Sequence, residues 1–107
     1  MNRLRDELIK RLAGLGVEHR PMPGRDDGFA SLFYRDKPFA HFHSNNDNEL
    51  DLRLTRAIIE REGLTHPPDS TVHPGRSKRS QWIEVRYTTQ RQLDHVVKLV
   101  KLAIEQL

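Results

Sequence analysis

A chain of 107 residues with 36% apolar and 31% charged side chains is long enough for one domain and one modest core; a domain of this size buries roughly two thirds of the surface its unfolded chain exposes. The sequence contains no cysteine, which excludes disulfide staples and cysteine-based zinc sites. Its formal charge of +3 favours anionic partners only where the basic residues cluster. The N-terminus is charged from Arg3 onward and no apolar run reaches the length of a signal or membrane-spanning segment, so the chain reads as soluble and cytoplasmic, with no membrane partner.

Leu4, Leu8, Ile9 and Leu12 form the apolar stripe of a helix over residues 3–13, with Asn2 as its N-cap and Gly14 and Gly16 at its end. Residues 18–28 hold two prolines and two glycines without periodicity and read as a loop. Phe29–Tyr34 and Phe39–His43 read as strands joined by the turn Arg35–Pro38. The polar run Ser44–Asn48 is a second turn, leading into a third strand over Glu49–Leu54.

If those five polar residues form the whole loop, His41 lies opposite Asp51, His43 opposite Glu49 and Phe39 opposite Arg53, while Phe42 pairs with Leu50 and Ala40 with Leu52. One face of this hairpin is then apolar and the other ionisable.

Thr55 caps a short helix that stops at Gly63, and Leu54 is placed to staple onto Ile59. Leu64–Ser80 is long, irregular and rich in proline, which marks a mobile loop or a functional lid. Gln81–Tyr87 alternates, setting Ile83, Val85 and Tyr87 on one side and Trp82, Glu84 and Arg86 on the other. Thr89–Gln92 has the form of a capping box, and Leu93, Val96, Val97, Val100 and Ile104 continue as the stripe of a long final helix. The order α-β-β-β-α-β-α predicts a single α+β domain with an antiparallel meander of about four strands packed by its terminal helices.

The ionisable face of the hairpin carries the candidate chemistry. His41 and His43 point the same way from one strand, the spacing that offers two imidazoles to one metal ion, with Asp51 across the hairpin or Glu49 beside it as a carboxylate ligand. Without metal, Asp51 can hold His41 as a general base while Arg53 or Arg56 binds an anionic substrate. Trp82 can stack on a ligand or pack under the 66–80 segment. His66 and His73 precede prolines, which favours extended backbone and no fixed ligand geometry.

Phe39-Ala-His-Phe-His43, Glu49-Leu-Asp-Leu-Arg-Leu54, Leu64-Thr-His-Pro-Pro68 and Gln81-Trp-Ile-Glu-Val85 followed by a long helix resemble the small bacterial proteins of the luciferase-domain family. The resemblance covers residues 28–106 and singles out His41, His43, Asp51, Arg53, His66, Trp82 and Glu84. Members usually carry Gly before the tryptophan, where this chain has Gln81. A looser similarity to the MmcQ/YjbR group implies an alternative, nucleic acid or protein interaction, with Arg76, Lys78, Arg79 and Arg86 contacting phosphates.

Overall fold

The computed structural model describes residues 2–45 and 47–107. The order is α1 (Arg3–Ala13), β1 (Val17–Pro21), β2 (Ala30–Tyr34), β3 (Lys37–Phe42), β4 (Glu49–Arg53), α2 (Arg56–Arg61), β5 (Trp82–Arg86) and α3 (Gln90–Glu105). The five strands form one antiparallel meander in sequence order, β1-β2-β3-β4-β5. The α+β class stands, but the expected four strands are five.

The additional strand is β1, which falls in the segment read as loop. It occupies the edge of the sheet, where proline is tolerated and polar side chains are normal, so only Val17 among its residues is buried and no alternation marks it. It pairs with β2 from Val17↔Tyr34 to Pro21↔Ala30.

The β2–β3 hairpin closes through Arg35 and Asp36, both at positive φ, the geometry whose twist matches that of the flanking strands. A bulge follows: Leu32 pairs with Ala40 and Phe33 with Pro38, which leaves Phe39 over. The extra residue lies upstream of His41, so the expected pairs Ala40↔Leu52 and His41↔Asp51 are both present. β3 ends at Phe42, however, so His43 against Glu49 is not a strand pair, and neither Phe39 with Arg53 nor Phe42 with Leu50 belongs to the β3–β4 register. The turn expected over Ser44–Asn48 contains Asn46, which lies outside the described residues.

The helices form as their sequences dictate. Asn2 accepts a hydrogen bond from Arg5 N, Thr55 from Ile58 N and Thr89 from Gln92 N, each satisfying an orphan donor of a first turn. Gln92 Oε1 reaches back to Thr88 N at 2.7 Å, one residue before the position that a standard capping box uses. Leu54 and Ile59 are both buried, as the staple requires.

The core lies between one face of the sheet and the two long helices. Leu8 and Leu12 of α1 and Leu93, Val96, Val97, Leu99, Val100 and Ala103 of α3 bury against Leu32, Ala40, Leu50, Leu52, Ile83 and Val85 of the strands. The helices therefore cover one face, and the other is left to polar side chains.

Because α3 supplies most of that cover, Thr89→Ala is expected to lower the unfolding free energy by about 1 kcal/mol, with Thr89→Ser close to the wild type. Urea midpoints at constant m-value check this; an unchanged midpoint in the alanine variant would mean that packing, not the cap, holds the first turn.

Candidate metal centre under the 64–80 segment

On the face opposite the helices, the registers Ser31↔His41, His41↔Asp51 and Asp51↔Glu84 line up one row across β2, β3, β4 and β5. Alternation puts that row out of the core, yet Asp51 is 1% and Glu84 2% exposed. The cover is the irregular segment 64–80, which folds back over the sheet.

The segment is fastened by polar bonds rather than by an apolar face. Arg76 grips Asp51 bidentately, Nη1 on Oδ1 and Nη2 on Oδ2, the latter at 2.8 Å. Ser70 Oγ donates to Glu84 Oε1 at 3.2 Å and accepts from His73 N at 3.1 Å. His66 Nε2 donates to the His73 carbonyl at 2.7 Å. These contacts carry the His73 ring onto the sheet, with its Nε2 3.3 Å from Asp51 Oδ2. His41 Nε2 approaches the same oxygen at 3.2 Å.

His43, just beyond β3, completes the group. Its ring centroid is 4.7 Å from that of His41 and 5.1 Å from that of His73. One donor atom from each of His41, His43, His73 and Asp51 can be chosen so that all lie within 4.8 Å of one another. His43 Nδ1 and His73 Nε2 are buried without a hydrogen bond, so both are open to a ligand. Phe29 stacks on His41 with centroids 5.7 Å apart, and Trp82 sits 5.1 Å from it, so aromatic rings fix the imidazole from two directions.

The electrostatics follow from this packing. Burial opposes ionisation of Asp51, but the hydrogen bonds from Arg76 and His41 and the guanidinium charge outweigh it and hold the carboxyl well below its usual range. Burial, with His41 close by, pushes His43 down to about 4, so its imidazole is neutral at pH 7. Burial and then Arg76 lower His73 as well. Glu84 is pushed up to about 7, first by burial and then by the Glu49 carboxylate.

Of the residues singled out in the sequence, His41, His43 and Asp51 come together, with Trp82 and Glu84 beside them. Arg53 is exposed. Arg56 donates to the Ser80 carbonyl at 3.0 Å, and His66 supports His73 from outside the group. Of the basic residues assigned to phosphates, Arg76 is committed to Asp51, and Arg86 donates to Glu49 and Asp69; Lys78 and Arg79 are exposed.

The expectation that His73 has no fixed geometry is corrected: Ser70 and His66 hold its backbone from either side. A signal for a cation partner was present, since a carboxylate between two leucines of a central strand demands compensating charge. Nothing local said that the cation would be Arg76, 25 residues away.

A two-layer α+β protein with a covered cluster of three histidines and an aspartate is the class that fold and site define. The family model described as Luciferase domain matches residues 36–103, more than half the chain, and the chain belongs to that family. Comparison with curated proteins and with solved structures gave no match. The matched region contains His41, His43, Asp51, His73 and Arg76.

Chemically, the group can ligate a cation through nitrogen and oxygen donors, or use the Asp51-oriented His41 as a base. The burial of Glu84 has a separate consequence. With its folded pKa above the ordinary value of 4.5, its stabilising share is present below that pH and is lost as pH rises towards 7. Glu84→Gln should match the wild type in stability near pH 4 and exceed it by roughly 3 kcal/mol at pH 8. Denaturant titrations at both pH values test this, and a difference that does not vary with pH would contradict it.

Proposed function

We propose that this luciferase-domain protein binds a divalent first-row transition-metal ion through His41, His43, His73 and Asp51, and with it a small anion as an added ligand. The observation that carries the reading is the convergence of four donor atoms within 4.8 Å. Two of the separations, 3.2 and 3.3 Å from Asp51 Oδ2, already match the edge of a tetrahedron drawn around an ion with ligand distances of about 2 Å, which is about 3.3 Å. Small rotations of the two imidazoles without hydrogen bonds close the rest.

The donor set selects among ions. Three imidazoles and one carboxylate suit zinc, iron, cobalt or nickel, whereas calcium and magnesium prefer oxygen ligands. Arg76 supports this role rather than opposing it. An ion on Oδ2 takes the corner where the imidazoles meet, and Nη1 can keep Oδ1 and orient the carboxylate from behind. The nucleic-acid alternative keeps only Lys78 and Arg79 as exposed cations of its original four.

The test is metal titration of chelator-stripped protein with Zn²⁺ and Co²⁺, followed by calorimetry and by the Co²⁺ visible spectrum. One equivalent should bind, with imidazole-nitrogen character in the spectrum. His43→Ala and His73→Ala should each weaken binding by at least about tenfold, while His95→Ala, on the exposed side of α3, should not. Substoichiometric binding, or His73→Ala binding as the wild type does, would sink the reading.

A further inference from the structure

A cavity of about 460 Å³ lies between α2, the 64–80 segment and the start of β5. Its volume falls in the range of small-molecule sites, roughly 300–1,000 Å³. Trp82, Ile59, Leu64 and the prolines 67, 68 and 74 give it an apolar lining. The charged lining is of one sign: Arg56, Arg76 and Lys78, with no aspartate or glutamate among the described residues that line it.

These cations differ in how far they are engaged. Arg76 is spent on Asp51. Arg56 uses Nη1 on the Ser80 carbonyl, and its Nη2 is 3.8 Å from the exposed Glu60, a weak pair in water. Lys78 is exposed and has no ion pair among the described residues. An apolar slot with one flat aromatic wall and uncommitted positive charge matches a ligand with the complementary halves.

We infer that this cavity is a binding site for an organic carboxylate with a flat, apolar body, its ring system against Trp82 and the prolines and its carboxylate toward Lys78 and Arg56. The site is distinct from the histidine cluster and does not need an ion there, although Trp82 and Arg76 border both. Aromatic contact supplies the affinity for the body, and the charge selects the acid over its neutral analogues.

Trp82 is the sole tryptophan of the chain, so its indole N–H gives one assignable NMR signal inside the site. Full-length ¹⁵N-labelled protein is titrated with 2-naphthoate, and separately with 2-naphthamide, in the presence of EDTA so that no ion in the cluster can take the carboxylate. The indole signal should shift and saturate below about 1 mM naphthoate, with the amide at least about tenfold weaker. Lys78→Ala and Arg56→Gln should each weaken naphthoate several-fold and leave the amide unchanged.

An unmoved or non-saturating indole signal, or equal affinity for acid and amide, would overturn the inference. Naphthoate binding without stoichiometric metal would remove the metal reading alone. Stoichiometric metal without naphthoate binding would remove this one alone.

Discussion

The bidentate bond between Arg76 and Asp51 is the constraint on which the polar half of this protein depends. Asp51 sits in the fourth strand of a five-stranded sheet, between Leu50 and Leu52, with 1% of its surface exposed. A carboxylate there without a partner costs several kcal/mol, and removing one member of a buried pair commonly costs about 3–5 kcal/mol. The chain meets this demand from an irregular segment of which only Leu64 packs against the apolar core. Charge therefore does for residues 64–80 what hydrophobic burial does for the helices. The position of His73, three residues before Arg76, follows from that anchorage.

The same strands serve both purposes because a strand shows alternate residues to opposite sides. The row His19, Leu32, Ala40, Leu52 and Ile83 lies toward the helices, and the neighbouring row Arg20, Ser31, His41, Asp51 and Glu84 lies away from them. A slip of one residue between β3 and β4 would either turn His41 into the apolar core and Ala40 out of it, or turn Asp51 in and Leu52 out. The register of the site is thus enforced from the other side of the sheet, by the packing of α1 and α3. The bulge at Phe39 is absorbed before His41, so its disturbance does not reach the pair.

How much of this could be read from the chain depends on the range of the interaction involved. Helices α1 and α3 are legible because their stripes and caps are local; Asn2, Thr55 and Thr89 all cap as their sequences imply. The His41–Asp51 pair is legible because five polar residues between two alternating segments set the register. β1 is illegible because an edge strand needs neither alternation nor a second buried residue, and Glu18, His19 and Arg20 look like loop. His73 and Arg76 are illegible for another reason. Their placement comes from electrostatic demand at Asp51, Ser70 and Glu84, and a Pro-rich segment carries no periodicity to show which of its residues will meet that demand. The preference for extended backbone before Pro74 was a sound local expectation, but backbone conformation does not decide where an imidazole ends up.

The charge balance of the cluster bears on what it can accept. One carboxylate and one guanidinium already neutralise each other, and burial keeps His43 from taking a proton at neutral pH. Burial lowers His73 as well, so these two rings offer lone pairs rather than charge, in a setting assembled by folding before any ligand arrives. A proton is a poor occupant of such a site because it satisfies one nitrogen and adds charge beside Arg76. On the proposed metal reading, a divalent ion adds charge as well, but it would engage three imidazoles and the carboxylate together, which is the compensation a buried cation requires. On that reading Arg76 sets a cost through its repulsion, and this cost would favour borderline ions that imidazole binds strongly over those that rely on charge attraction alone. The guanidinium that fastens residues 64–80 would thereby also act as a filter on what sits beneath them.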